Sequence, residues 1–375
     1  MKAVTTVVAR KKGGSLSRFP DNCRFAFTVV DDTDSCTLEN ISPVYRLLAE
    51  LGFRTTKTVW PLPNVPGNPF AGCTLQDPAY CTFIQKLAEQ GFEIGMHSVR
   101  NSHSERDVIE QGLKEYYDKT GLVPNVQVNH HINHDNLYWG KSRFTTSIGR
   151  LCYGALAKLA GSGVYGGHEE SSPYFWGDIG RECFTYVRSF VFDGINLDHV
   201  NPTLPYYNPA HPYVNYWFTS VFGNNVTSFC HTIREENQDL LEAEGGVCIM
   251  YTHFASGFVK DGRLNPRFVA LMQRLAKKNG WFVPATTLLD HLRGSRSNNQ
   301  IPAAELRSME MAWLRTRIAT PGQELRHLLL RNRVEAPEIR YPAASVKSPD
   351  LILPEQVIDH CHAGNASIDD VERKH

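Results

Sequence analysis

The stretch that decides the fold is Phe25-Ala26-Phe27-Thr28-Val29-Val30-Asp31-Asp32-Thr33-Asp34. Residues 24–30 are rich in aromatic and β-branched side chains and predict a strand, which stops at a group of aspartates. Adjacent carboxylates repel each other and are tolerated where a cation or a shared proton offsets the repulsion. The pattern therefore predicts one carboxylate that binds a divalent metal and another that takes a proton from water. Alternatively, Asp34 or Ser35 caps the helix that follows.

The chain around this stretch alternates between strand and helix patterns. The predicted strands are residues 24–30, 55–60, 92–96, 126–128, 246–251 and 281–283. The predicted helices are residues 41–51, 80–90, 104–120, 265–279 and 286–291. Residues 141–245 are less regular and predict long functional loops between weaker elements. Polar or ionisable residues follow most strands, as in parallel βα units whose loops build a site at one face of a sheet or barrel.

Composition excludes several other classes of protein. The 375 residues include 39 Lys plus Arg and 39 Asp plus Glu, so no bulk charge favours nucleic acid or an anionic membrane. The nine cysteines contain no C-x-x-C pair, which argues against a disulfide framework and a structural zinc site. No apolar run is long enough for a membrane span or a signal peptide core. The predicted location is the cytoplasm, and the oligomeric state is left open.

Histidines follow three of the predicted strands. His97 ends the strand 92–96, and His103 comes shortly after it, although His103 can also lie beside a helix cap formed by Ser104 and Asp107. Imidazole is the commonest metal ligand. His253 follows the strand 246–251, where a side chain that titrates near neutral pH suits a general acid.

Two further groups are candidates. Residues 129–135 hold three histidines, and their spacing does not say which one faces a site; they are His130, His131 and His134. Tyr174 and Trp176 have rings that can stack on a sugar face, and their alternative role is packing.

These motifs resemble those of the polysaccharide deacetylases, the carbohydrate esterases with NodB homology. The likeness spans residues 20–293 and lies in residues 27–32, 91–98, 251–253 and 281–292. The resemblance implies an α/β fold, a distorted (β/α)7 barrel, with a divalent metal held by one Asp and two His. By position it implies Asp31 as general base, Asp32 and His97 as metal ligands and His253 as general acid. Zinc is the favoured metal, with nickel, cobalt or iron as alternatives.

The chain departs from the family pattern at two points. The family has a second histidine four residues after the first, where this chain has Asn101, and His103 lies six residues after His97. The family's Arg-Pro motif after the fourth strand is also absent, and residues 129–138 take its place. The third ligand is therefore His103, Asn101 or one histidine of residues 130–134.

The predicted organisation is an N-terminal extension (1–20), a catalytic barrel (21–293) and a C-terminal appendage (294–375) that includes a helix at 303–314. The resemblance implies hydrolysis of an N- or O-acyl group on a sugar or polysaccharide precursor, in surface polysaccharide metabolism. The alternatives are an inactive carbohydrate-binding protein of the same fold and a metal hydrolase that cuts a different C–N bond.

Overall fold

The computed structural model describes residues 17–160 and 165–319. Its centre is a barrel of seven parallel strands, in which β1 pairs with β2 on one side and with β7 on the other. These strands are β1 (Phe25–Asp31), β2 (Thr56–Val59), β3 (Glu93–Met96), β4 (Val126–Gln127), β5 (Tyr186–Phe192), β6 (Tyr216–Phe222) and β7 (Val247–Thr252). The predicted (β/α)7 barrel is confirmed.

The barrel is distorted, as the resemblance implies. Strand β4 has only two residues, and the pairing of β5 with β6 shifts register between Arg188 and Val191. A short hairpin, β8 (Val259–Lys260) with β9 (Arg263–Leu264), lies outside the barrel, and β10 (Gly280–Trp281) pairs with the start of β1.

Helices cover the barrel, and most of them are amphipathic, with the apolar side buried against the strands. They are α1 (Leu38–Glu50), α2 (Pro78–Glu89), α3 (Arg106–Thr120), α4 (Ser147–Ala160), α5 (Gly177–Cys183), α6 (Val226–Thr232), α7 (Glu235–Glu244), α8 (Pro266–Ala276), α9 (Ala285–Gly294) and α10 (Ala303–Ala319). None of the described helices is long and apolar enough to cross a bilayer.

The structure differs from the expectation of loops over residues 141–245. Strands β5 and β6 are seven residues each and complete the barrel wall. Long segments without an α-helix, such as residues 193–215, separate them. These insertions obscure the alternation of strand and helix patterns in the sequence.

Helix α10 packs on the barrel domain. Met309, Trp313 and Leu314 are buried in the same core as the strands. The described part of the predicted appendage therefore contributes to the barrel core, while residues 320–375 lie outside the described residues. The domain boundaries at 20 and 294 stay predictions.

Glu310 fixes α10 to the start of α4. Its buried carboxylate accepts hydrogen bonds from the backbone N–H of Thr145 at 2.7 Å and from the side chains of Thr145 and Thr146. We expect Glu310→Ala to lower the free energy of unfolding by about 1–3 kcal/mol, because several partly buried donors lose their acceptor. Urea denaturation measures this loss. Glu310→Gln, which keeps one acceptor oxygen, is the control and should lose less; equal stability of Glu310→Ala and wild type would contradict the role.

Candidate active site

Strand geometry separates the two adjacent aspartates. Successive side chains of a strand point to opposite faces, so Asp31 and Asp32 cannot both face the interior of the barrel. The Asp31 carboxylate points outward, 2.9 Å from Lys57 Nζ and 2.9 Å from Tyr45 Oη on α1. The Asp32 carboxylate points inward and accepts two hydrogen bonds from the guanidinium of Arg188 on β5, one of them 2.8 Å long.

Asp34 lies at the centre of a buried histidine cluster. Its Oδ2 lies 3.0 Å from His97 Nε2 and 3.1 Å from His253 Nε2, and its Oδ1 lies 2.9 Å from His130 Nε2. These imidazoles come from the ends of β3, β7 and β4, so the closed barrel brings three distant chain segments to one carboxylate. Asp32 is also at this site, 4.0 Å from His97 Nε2.

The other ring nitrogen of each histidine faces a carbonyl oxygen. His97 Nδ1 lies 3.2 Å from the carbonyl of Val128, and His253 Nδ1 lies 3.0 Å from that of Asn224. His130 Nδ1 lies 3.0 Å from the amide oxygen of Asn133. A carbonyl only accepts, so Nδ1 carries a hydrogen in all three rings, and Nε2 of each ring faces Asp34. This is the outer-sphere arrangement that orients metal-binding histidines.

The electrostatics of the cluster follow from this convergence. Burial alone would raise the pKa of Asp34, but the charges of His130 and His97 hold that pKa well below its usual range. Burial alone would lower the pKa of His253, but the hydrogen bond and charge of Asp34 raise it to about 9. The pKa of His130 is also raised by Asp34 against the effect of burial. Asp34 and the imidazoles of His130 and His253 therefore favour each other's charged forms.

The donor set fits a divalent metal. Asp34 Oδ1 and His130 Nε2 are buried and lack a hydrogen-bond partner among the described residues, although they lie close together. One ligand atom from each of Asp34, His97 and His130 lies within 4.8 Å of the other two, and the same holds for Asp32, Asp34 and His253. Two imidazoles and one carboxylate are a ligand set that zinc accepts in catalytic sites.

Two residues with unusual backbone angles follow the central ligand candidates. Ser35 follows Asp34 and Ser98 follows His97, and each has a φ of 56°. The left-handed region costs a residue with a β-carbon about 1 kcal/mol or more. Ser35 lies four residues past the end of β1 and Ser98 two residues past the end of β3, so local strain accompanies the turns next to the cluster.

Asn101 and His103 lie outside the cluster around Asp34. Asn101 is fully buried, and its Oδ1 accepts a hydrogen bond from the backbone N–H of Val65 at 2.8 Å, which fixes the loop 61–74. The ring of His103 stacks on that of His134 at 3.8 Å, and its Nδ1 accepts the backbone N–H of His134. Neither residue belongs to a group of metal-binding candidates in the described chain.

The remaining candidates surround the cluster. His131 packs edge-on against Phe70, and Tyr174 packs against His134. Trp176 is buried, and its indole N–H donates to the carbonyl of Asp135, so its ring serves packing in this structure. His131, His134 and Tyr174 are all partly exposed.

Asp34 and Arg188 lie in this cluster but were not among the site residues that the sequence predicted. Thr37, not Asp34 or Ser35, caps α1, through a capping box with Asn40. The signal for Asp34 was its position two residues after Asp32, because side chains two residues apart in an extended backbone point to the same side. The signal for Arg188 was a single charge within the apolar residues 186–192.

Comparison with known proteins gives fold-level likenesses. No protein-family model and no curated protein matches the chain. Among solved structures it is similar to a protein assigned as a polysaccharide deacetylase from Mycobacterium smegmatis, with 11% identity, a TM-score of 0.41, and coverage of 76% of this chain and 96% of that chain. It is also similar to PuuE allantoinase, with 11% identity, a TM-score of 0.42, and coverage of 79% and 99%. A third is the catalytic domain of a peptidoglycan N-acetylglucosamine deacetylase from Eubacterium rectale, with 11% identity, a TM-score of 0.34, and coverage of 77% and 97%.

Proposed function

We propose that this protein is a metal-dependent hydrolase that removes an acyl group from an N- or O-acylated sugar, such as a precursor of a surface polysaccharide. One observation carries the proposal: three imidazoles, each oriented through Nδ1, direct Nε2 at one buried carboxylate. Burying these imidazole nitrogens and carboxylate oxygens together costs free energy unless a bound cation or shared protons offset that cost.

Asp34, His97 and His130 are the residues that would hold the metal. When bound, a divalent metal polarises the acyl carbonyl and makes water acidic enough to act as a nucleophile. Zinc is favoured by the nitrogen and oxygen donors, and nickel, cobalt and iron are alternatives. In this proposal Asp32, which the resemblance implies as a ligand, takes another role.

Asp32 is the proposed general base. The two hydrogen bonds from Arg188 hold its carboxylate in a fixed orientation. The planar guanidinium lies over the ring of Tyr251 at 4.6 Å, which fixes the orientation of the pair. Asp32 is then placed to take a proton from water next to the metal ligands.

His253 is the proposed general acid. Nε2 of its imidazole faces the cluster, 3.1 Å from Asp34 Oδ2. The Asn224 carbonyl keeps the other proton on Nδ1. His253 can therefore donate a proton from Nε2 to the amine or alcohol that leaves.

The test combines metal analysis with product analysis. The purified full-length protein should contain a stoichiometric transition metal and release acetate from acetylated amino sugars or sugar esters. Acetate release without metal dependence, or no hydrolysis with a loaded site, would overturn the proposal. A loaded protein that instead opens another C–N bond would identify the alternative hydrolase, and sugar binding without metal would identify the inactive alternative. The cytoplasmic location stays a prediction that cell fractionation tests.

Metal removal gives a separate prediction. We expect dialysis against a chelator to abolish hydrolysis and to lower the melting temperature, because a ligand at 100 times its Kd stabilises the folded state by about 2.7 kcal/mol. Differential scanning calorimetry and activity should both recover when zinc is added back. Magnesium serves as the control, since its preference for oxygen ligands predicts no recovery.

A further inference from the structure

A buried charged group lies on the outer side of β1, away from the proposed metal ligands. Asp31 and Lys57 are both fully buried, and Lys57 Nζ lies 2.9 Å from Asp31 Oδ2. The same oxygen accepts the hydroxyl hydrogen of Tyr45 at 2.9 Å. The proposed mechanism uses none of these three side chains.

The second oxygen of Asp31 reaches the segment that carries His253. Asp31 Oδ1 accepts the backbone N–H of Phe254 at 2.8 Å, and the backbone N–H of Asp32 donates to the carbonyl of Thr252 at 2.8 Å. The bond to the Thr252 carbonyl fixes the peptide unit before His253, and the bond from the Phe254 N–H fixes the peptide unit after it. Together they restrict the backbone angles of His253, just past the end of β7.

We propose that Asp31 and Lys57 are positioning residues, which hold the backbone of His253 so that its Nε2 faces the reacting group. This inference rests on the proposed function and gives Asp31 a role other than the general base that the motif resemblance implies. Lys57 and Tyr45 fix the carboxylate through one oxygen, and the carboxylate holds Phe254 through the other. The ring of Phe254 packs edge-on against Tyr45 at 5.6 Å, which joins the same group.

The energetics separate the hydrogen bond from the charge. A buried ion pair is often no more stabilising than apolar residues of the same size, because desolvation offsets the attraction. Removing both charges together is therefore tolerable, whereas removing the acceptor frees the N–H of Phe254. A shift of about 1 Å in a catalytic group can lower a rate by about 100-fold.

Two matched double variants test the proposal in the full-length zinc-loaded protein. Asp31→Asn with Lys57→Met removes both charges but keeps an oxygen that accepts the Phe254 N–H. Asp31→Leu with Lys57→Met removes the acceptor as well. We expect the first pair to keep kcat within about threefold of wild type, and the second to lower kcat by about 30-fold or more with KM and zinc content nearly unchanged.

Each other outcome contradicts the proposal. If the Asn pair loses as much activity as the Leu pair, the carboxylate itself is needed, as for a general base. If the Leu pair keeps its kcat, the bond to Phe254 does not matter. Should the Leu pair fail to fold, Asp31→Val with Lys57→Met carries the same test with a residue suited to a strand.

Amide hydrogen exchange separates this inference from the proposed function. Exchange over residues 253–257 should be faster in the Leu pair than in the Asn pair, whether or not any substrate is hydrolysed. If wild type cleaves no acylated sugar, the proposed function fails while the exchange result still tests the positioning bond. Equal exchange in the two pairs would overturn the positioning role.

Discussion

Replacing His130 by alanine is expected to abolish stoichiometric zinc binding and to lower kcat/KM by about 1,000-fold or more, because one of three proposed ligands is lost. His130 Nε2 lies 2.9 Å from Asp34 Oδ1, and Asn133 orients its ring. Elemental analysis of the purified variant and rates of acetate release measure the two effects.

His103→Ala is the matched control for this prediction. His103 comes closer in sequence to the family position for the second histidine, but its ring stacks on His134. We expect the His103 variant to keep its zinc. Loss of zinc on removing His103, with zinc retained on removing His130, would reverse the assignment of the third ligand.

The barrel was predictable because its repeating units leave strong local signals. The strand 24–30, the helix 41–51 and the strand 92–96 correspond closely to β1, α1 and β3. Amphipathic period and glycine at helix ends encode these elements locally. The convergence of the strand ends then follows from the parallel topology, so the general location of a site near residues 31–34, 97 and 253 was also predictable.

The identity of the proposed ligands depends on geometry that the sequence expresses only weakly. Adjacent aspartates suggested a joint site, but the alternation of a strand sends Asp31 outward and leaves Asp32 and Asp34 near the histidines. Which of three histidines in residues 130–134 points inward depends on a loop conformation, which spacing does not specify. The partner of Asp32, Arg188, is 156 residues away in a segment whose insertions obscured its strand.

We propose that the departure from the family pattern at residue 101 is compensated in space. Where the family pattern has a histidine, Asn101 instead binds the backbone of the loop 61–74. His130 enters from the neighbouring strand β4 and supplies an imidazole to Asp34. A motif search along the chain does not detect such an exchange, because the two positions are adjacent only in the folded barrel.

Asp32→Asn is expected to lower kcat by about 100- to 10,000-fold while the protein keeps its zinc, since general base catalysis contributes a factor of that size. The proposed ligands Asp34, His97 and His130 remain in this variant. Rates measured with saturating substrate, together with zinc content, distinguish loss of the base from loss of the metal. If the variant loses its zinc instead, Asp32 is a ligand, as the motif resemblance implies.

Arg188 complicates the Asp32→Asn variant, because its buried guanidinium would then lack the carboxylate that pairs with it. Breaking a buried ion pair on one side typically costs about 3–5 kcal/mol. We therefore expect Asp32→Asn combined with Arg188→Met to regain stability against urea without regaining kcat. Arg188→Met alone keeps the Asp32 carboxylate but removes the side chain that orients it. We expect this single variant to lower kcat less than Asp32→Asn does. Since residues that act as a unit are not additive, the double variant should be no slower than Asp32→Asn alone. A double variant that recovers activity would show that the loss in Asp32→Asn came from the unpaired guanidinium rather than from a missing proton acceptor.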